Sequence, residues 1–321
     1  MTVNVRTDLV ALPRTGLTAV PLVLGGNTFG WTSGREESFA VLDAYAGAGG
    51  TLVDTADAYS FWVEGHTGGE SETLLGEWMA ARGNRHDVVV ATKAGLLPPF
   101  DQQDRASVTA ALDASLKRLR TDHVDLFYAH QDDENVAIED QAATYDELVR
   151  SGKVRHVALS NYAPERMLRW FEHATAENLA VPVAIQPQYN LVFRKDYEQG
   201  YRPVAEKFDA AVFPYFSLAS GFLTGKYRSL ADLEGRARQG LAHGYLSEPG
   251  LKVVDEVVRV AEAHGTEPAT VALAWLLSKG VTAPIASART VEQLPALLAA
   301  PSLRLTEADI AALDTASQPF A

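Results

Sequence analysis

Short apolar runs alternate with amphipathic segments along almost the whole chain. Apolar runs of this length are typical of buried β-strands, and apolar residues spaced three and four positions apart are typical of helices that cover a core. The predicted strands are 22–25, 51–54, 88–93, 124–130, 154–160, 183–187, 211–215 and 281–286. The predicted helices are 36–46, 71–81, 107–119, 139–151, 164–175, 201–208, 250–264 and 291–299. The pattern therefore predicts eight strands that alternate with eight helices.

This alternation favours an α/β fold with a parallel sheet. Eight strand–helix units in 321 residues fit a (β/α)8 TIM barrel best, and a doubly wound open sheet is the alternative. An N-terminal β-hairpin around 14–16 would close the bottom of the barrel. An extra C-terminal helix is predicted over 306–317, with Thr306 as its cap. No linker is visible, so a single domain over 1–321 is expected.

Helix boundaries inside the repeat carry their own signals. Ser107 has a side chain suited to capping the third helix, and Pro164 suits the first turn of the fifth helix. In the C-terminal helix, Glu307 and Asp309 fall in the first turn, where acidic side chains are favourable.

Composition excludes several classes of protein. The formal net charge of −13 disfavours nucleic-acid binding, which needs a basic face. No apolar stretch approaches the roughly 20 residues that span a bilayer, and the first residues do not resemble a secretory signal. The absence of cysteine excludes disulfides and thiol catalysis. We expect a cytoplasmic protein without membrane or nucleic-acid partners, and no motif indicates its oligomeric state.

Three predicted strands end in titratable residues. Asp54 ends one strand and begins Asp-Thr-Ala-Asp-Ala-Tyr, which places Tyr59 five residues later. Lys93 ends the next strand and His130 the one after. Because the ends of parallel strands share one face of a barrel, these four side chains are expected to converge. An acid, a phenol, an amine and an imidazole together suit proton delivery to a carbonyl, so an enzyme is predicted.

Two long loops are expected on the same face. The loop 60–69 is rich in aromatic residues, and the loop 217–249 is too long to be a simple connection. Loops in this position usually shape a substrate pocket. The predicted pocket residues are Trp31, Phe61, Trp62, His66 and Phe216.

Three other motifs do not support alternative sites. The glycines in 25–30 lack the G-x-G-x-x-G spacing, and 221–226 is one residue short of a phosphate-binding P-loop. The acidic residues 132–134 have no partner motif, so no metal site is predicted.

A series of motifs, in order, resembles the aldo-keto reductase superfamily over nearly the whole chain. The motifs are 54–59, 71–76, 91–93, 115–119, 125–130, 152–155, 160–162, 186–190 and 217–227. The resemblance implies an NADPH-dependent enzyme that reduces an aldehyde or ketone. It also implies that Tyr59 is the general acid and that His130 orients the carbonyl. Lys93, paired with Asp54, would lower the pKa of the phenol.

The resemblance further implies where the cofactor binds. Tyr215 would stack on the nicotinamide, the loop 217–226 would cover the pyrophosphate, and Arg289 would meet the adenosine 2′-phosphate. The chain departs from the family pattern in having Ala286 and Ser287 before Arg289, and Leu297 where an asparagine is expected. The implied cofactor contacts are Gly26, Ser160, Asn161, Gln186, Tyr215, Ser217, Leu218, Gly221, Lys226, Ser287, Arg289 and Gln293.

Two other functions stay open at the level of sequence. Lys93 on a barrel strand could serve a Schiff-base lyase, and the chain could be a non-catalytic subunit that senses NADPH. The sequence does not select among sugar-derived ketones, aromatic aldehydes and polyketide-type carbonyls as substrate.

Overall fold

A parallel eight-stranded sheet forms the centre of the structure, which is a computed structural model and describes residues 9–235 and 239–321. The strand order is β10-β3-β4-β5-β6-β7-β8-β9, and a separate antiparallel pair, β1 and β2, precedes it. The strands are β1 Val10–Ala11, β2 Thr18–Ala19, β3 Val23–Gly25, β4 Leu52–Asp54, β5 Val89–Ala94, β6 Val124–Ala129, β7 Val154–Ser160, β8 Ala184–Gln186, β9 Ala211–Val212 and β10 Ile285–Ala286.

The two edges of the sheet meet. The backbone N–H of Ile285 donates to the carbonyl of Pro214 (2.9 Å), and that of Thr282 donates to the carbonyl of Val212 (3.0 Å). These bonds join β10 to the segment of β9 and close the barrel. The predicted (β/α)8 fold is therefore confirmed.

Helices surround the sheet at nearly the predicted positions. Arg202–Phe208 is preceded by one π-helical turn, Tyr197–Tyr201. The α-helices of the described residues are α1 Arg35–Gly47, α2 Glu70–Arg82, α3 Arg105–Leu119, α4 Ile138–Arg150, α5 Pro164–Ala176, α6 Arg202–Phe208, α7 Gln239–His243, α8 Glu248–His264, α9 Pro268–Ser278, α10 Leu294–Leu298 and α11 Glu307–Ala316.

Helix α9 is absent from the predicted pattern. It is buried from Ala269 to Leu276 and is apolar on all sides, so it shows no amphipathic period. Two long helices, α8 and α9, therefore separate β9 from β10, and the predicted strict alternation is wrong there. The predicted helix 291–299 is a 3-10 turn, Val291–Gln293, followed by the short α10.

The helix caps agree with the predictions in two of three places. Pro164 lies in the first turn of α5, and Thr306 caps α11, as predicted. The prediction for Ser107 is wrong, because α3 begins earlier. There the Asp104 carboxylate accepts the backbone N–H groups of Ala106 (2.9 Å) and Ser107 (3.1 Å).

The hairpin of β1 and β2 covers one end of the barrel. Leu12 and Ala19 are buried in the apolar cluster that fills the barrel interior, together with Leu52 and Leu126, and the Arg14 guanidinium donates to the carbonyl of Pro182 (2.6 Å). A larger apolar cluster lies between the strands and the helices. Within 9–235 and 239–321, no helix is long and apolar enough to cross a membrane.

Candidate active site

The four titratable residues predicted to converge lie at the open end of the barrel. Asp54 is the last residue of β4, Lys93 lies near the end of β5, and His130 directly follows β6. The turn after β4 crosses towards β5, because the backbone N–H of Thr55 donates to the carbonyl of Ala91 (2.8 Å). This crossing brings Tyr59 next to Lys93.

Asp54, Lys93 and Tyr59 form one hydrogen-bonded group. Lys93 Nζ donates to Asp54 Oδ2 (2.7 Å), to Tyr59 Oη (2.7 Å) and to the carbonyl of Thr55 (2.8 Å). Tyr59 Oη donates to Asp54 Oδ2 (3.0 Å), and Gln186 Nε2 donates to Asp54 Oδ1 (2.9 Å). The Lys93 side chain is 0% exposed. Its ammonium is thus held by fixed acceptors and is shielded from water.

Burial controls the protonation of this group. It raises the pKa of Tyr59 well above the usual value of a phenol, and the Asp54 carboxylate acts in the same direction. The predicted effect of Lys93, a lowering of this pKa, opposes this shift but does not set its direction. Burial lowers the pKa of Lys93, and the Asp54 carboxylate opposes that shift. Tyr59 consequently holds its proton at neutral pH, with an ammonium in place to stabilise a phenolate.

His130 lies on the other side of Tyr59. The two ring centroids are 6.3 Å apart in an edge-on arrangement, and His130 is buried. Burial, with a smaller contribution from Lys93, lowers the pKa of His130 well below its usual value, so the imidazole is neutral. Asn161 Nδ2 donates to the His130 carbonyl (2.8 Å), and Tyr215 Oη donates to Asn161 Oδ1 (2.9 Å).

A cavity of about 1350 Å³ opens next to this group. Asp54, Tyr59 and His130 line it, whereas the fully buried Lys93 lies behind Tyr59. The cavity is large enough for a dinucleotide and a small substrate together, because single-ligand pockets usually occupy roughly 300–1,000 Å³.

Most of the residues predicted to contact a cofactor line this cavity. Gly26 does not, since it packs with its backbone against β4: its N–H donates to the Asp54 carbonyl (2.7 Å), and Gly25 lines the cavity in its place. The predicted cofactor residues at the cavity are Ser160, Asn161, Gln186, Tyr215, Ser217, Leu218, Gly221, Lys226, Ser287, Arg289 and Gln293.

Basic side chains lie where the anionic part of a cofactor is expected. Lys226 and Arg289 are both exposed at the cavity wall. Gln293 Oε1 accepts the backbone N–H of Arg289 (2.8 Å), which fixes the start of the turn before α10. Ser287 Oγ donates to Asn27 Oδ1 (2.6 Å). Among the described residues, no group of three or more His, Cys, Asp or Glu side chains is arranged to hold a metal ion.

Aromatic rings form the cavity wall beside Tyr59. Trp31, Trp62 and Phe216 line the cavity as predicted, and the rings of Trp31 and Trp62 meet edge to face at 5.4 Å. Phe61 and His66 do not line it. The Phe61 ring contacts Trp62, with ring centroids 5.8 Å apart, and His66 lies in a turn in which its N–H donates to the Val63 carbonyl.

Several cavity residues were missed by sequence reasoning. Asn27 and Thr28 belong to the glycine-containing turn after β3, where a dinucleotide motif was excluded, and neither residue was named as a contact. Pro268 lies in the unpredicted α9, and Leu241 lies in the short α7 inside the long loop. Neither of these two positions has a local signal, because each reaches the cavity only through the tertiary fold.

Comparisons with known proteins agree with this geometry. The model of the aldo/keto reductase family matches residues 21–318. The chain is 30% identical to a norsolorinic acid reductase of Emericella nidulans, over 94% of this chain and 79% of that protein. It is 31% identical to Protein tas of Escherichia coli, over 96% and 97% of the two chains. It is also 30% identical to an aldo-keto reductase of Strobilurus tenacellus, over 89% and 82%.

Proposed function

This chain belongs to the aldo/keto reductase family and is an oxidoreductase, and from that premise we propose that it reduces an aldehyde or ketone with NADPH. The observation that carries the proposal is the Asp54–Lys93–Tyr59 group with its phenol at the cavity. The proposal also includes a single domain and a cytoplasmic location.

The cavity fits a nicotinamide dinucleotide. Tyr215 would face the nicotinamide ring, the segment 217–221 would cover the pyrophosphate, and Arg289 with Lys226 would meet phosphate oxygens. The side-chain amides of Asn161 and Gln186 are already bonded to protein groups, so they would use their remaining hydrogen-bonding capacity. When bound, the cofactor supplies the hydride. NADPH is preferred in this proposal because a guanidinium matches a 2′-phosphate better than a hydroxyl.

The protein groups act on the carbonyl oxygen. Tyr59 donates its proton to this oxygen as negative charge develops there, and the phenolate that remains is stabilised by Lys93 at 2.7 Å. Asp54 keeps the buried ammonium charged and in place. The neutral His130 imidazole donates a hydrogen bond to the same oxygen. It orients the carbonyl without competing for the proton.

A Schiff-base lyase is less compatible with the geometry. Imine formation needs a neutral amine that reaches the substrate carbonyl. Lys93 Nζ instead donates to three protein oxygens and lies behind Tyr59. The presence of a proton donor at the cavity likewise favours a catalyst over a subunit that only senses NADPH.

The substitution Tyr59→Phe tests the proposal directly. It removes the proton and leaves the ring, so NADPH oxidation with a carbonyl substrate should fall by about 10²–10⁴-fold while NADPH binding, followed by fluorescence, stays within a factor of about two. A panel of aromatic, sugar-derived and aliphatic carbonyls, followed by NADPH absorbance, identifies the substrate for this assay. Unchanged turnover in Tyr59→Phe contradicts the assigned acid.

A further inference from the structure

Three acidic side chains, and not Asp54 alone, surround the buried ammonium of Lys93. Asp57 is 2% exposed and Glu72 is 0% exposed. The proposed reduction gives neither of them a task. Buried carboxyl groups are costly unless they are paired or protonated, so both need a physical explanation.

Asp57 lies between β4 and Tyr59 and is tied to Lys93 through the backbone. Its N–H donates to the carbonyl of Lys93 (3.1 Å). Its Oδ1 is buried and has no hydrogen-bond partner among the described residues. The carboxyl group makes no ion pair with a described cation, unlike Asp54 and Glu72. Asp57 is therefore the least compensated acid in this region.

Glu72, in the first turn of α2, is fully paired. Its Oε1 accepts Thr92 Oγ1 (2.5 Å), and its Oε2 accepts Arg118 Nε (2.6 Å). Gly69 has a φ of +81°, and a side chain at this position would overlap the Arg118 side chain. Glycine therefore leaves room for the guanidinium. Arg118 is partly exposed. Glu72 is thus held as a carboxylate by a cation that reaches solvent.

The charges of the buried acids and of their neighbouring cations indicate which acid carries a proton. Asp54, Asp57 and Glu72 would place three negative charges beside two cations, Lys93 and Arg118, in a largely buried region. Burial and the Glu72 carboxylate hold the pKa of Asp57 well above its usual range. Arg118, a backbone hydrogen bond from Ala58 and Lys93 only partly oppose this shift. When Asp57 carries a proton, the two remaining carboxylates balance the two cations.

The groups that face Asp57 come from every neighbouring element. Glu72 extends from α2, Arg118 from α3 and Lys93 from β5. Tyr145 of α4 is also within electrostatic range, and Asp54 and Tyr59 flank Asp57 on its own turn. Of these, Asp54, Lys93 and Tyr59 belong to the proposed proton-donating group.

We infer that Asp57 is a positioning residue that acts as a neutral carboxylic acid beside Lys93, and that its ionisation weakens proton donation by Tyr59. A carboxylate at this position would add a second negative charge next to the Asp54–Lys93 pair. Because like charges repel strongly in a poorly solvated site, the Tyr59 phenolate would form less readily. This inference rests on the proposed reductase function.

The pH profile of kcat for carbonyl reduction tests the inference. In Asp57→Asn, which cannot ionise, the alkaline limb should move up by about one pH unit. In Glu72→Gln, Arg118 loses its carboxylate partner, and its positive charge then stabilises the ionised form of Asp57. The alkaline limb should therefore move to lower pH. Asp146→Asn is the control, since Asp146 is a buried acid that caps the backbone N–H of Ala180 in another region. An unchanged limb in Asp57→Asn, or shifts of the same sign in both variants, overturns the inference.

Infrared spectroscopy provides a readout that does not depend on activity. The wild-type protein at neutral pH should show the C=O stretch of a protonated buried carboxyl, which shifts in D₂O and is lost in Asp57→Asn. If the wild type reduces no carbonyl with either cofactor, the proposed function fails, and this band still decides the state of Asp57. Its absence at neutral pH overturns the inference, and the wild-type spectrum suffices if a variant does not fold.

Discussion

Single side chains in the site owe their chemistry to where they are buried. Lys93 would be an ordinary ammonium on a surface, but behind Tyr59 it donates to three fixed oxygens. Burial keeps the proton on Tyr59 and keeps His130 neutral. The residue types and their strand-end positions could be predicted from sequence. The direction of the Tyr59 pKa shift could not, because it depends on the depth of burial.

The aromatic wall provides a test with a matched control. Trp62 and Phe61 are neighbours with similar exposure, 45% and 42%, but of the two only Trp62 lines the cavity. Trp62→Ala should raise KM for aromatic carbonyls by about tenfold, because it removes an apolar contact worth about 1–2 kcal/mol. Phe61→Ala should change KM by threefold or less. Steady-state kinetics check both values, and equal effects contradict the assignment of Trp62 to the wall.

Helices and strands position these side chains at the site, and a helix buried on all sides was the least predictable of these elements. The C-terminal helix α11 was predicted with its cap, since Thr306 and Asp309 form a local capping box. Helix α9 was not predicted, because burial on all sides removes the polar face that marks a helix in sequence. Local chemistry thus identifies a helix end more readily than it identifies a buried helix.

Asp309 gives a prediction on the stability of α11. It accepts the backbone N–H of Thr306 (3.0 Å) and contacts His264 Nε2 of α8 (2.9 Å). Hydrogen bonds from Thr306 and His264 lower its pKa to about 2. This contribution to stability is complete above the unfolded pKa of about 4 and is lost as the pH falls through about 2.

Asp309→Ala should lower the free energy of unfolding at pH 7 by about 1–2 kcal/mol. Urea denaturation measures this change. Glu307→Ala removes the same charge from the same helical turn, but Glu307 is exposed, so its effect should be about 0.5 kcal/mol or less. Equal losses in the two variants would show that the hydrogen bonds of Asp309 contribute nothing beyond its charge.

Closure of the barrel assembles the cavity from segments that are far apart in the chain. Gly25 at the end of the first barrel strand and Thr28 just beyond it lie at the same cavity as Arg289 and Gln293, which follow the last strand. Ser33 Oγ donates to the carbonyl of Arg289 (2.9 Å) across this junction. The cofactor end of the cavity therefore depends on the fold as a whole.

Arg289 tests cofactor choice on the assembled barrel. Arg289→Ala should weaken NADPH binding by about 10–100-fold, since a charged hydrogen bond contributes about 1.5–3 kcal/mol. NADH binding should change by less than about threefold. Fluorescence titration with each cofactor measures both constants, and Arg304→Ala serves as a control because Arg304 does not line the cavity. Equal losses for the two cofactors would refute a 2′-phosphate contact.

The sequence by itself determined the alternation of strands and helices, except at α9, and the titratable residues at the strand ends. Both follow from local periods of apolar residues and from motifs such as 54–59, which can be recognised in the amino-acid sequence alone. Only the tertiary structure decided that Lys93 lies behind Tyr59 and that Phe61 and His66 do not line the cavity. It also decided that Asp57 forms no ion pair with a cation of residues 9–235 and 239–321. Those properties depend on burial and on contacts across the closed barrel, which no local pattern encodes.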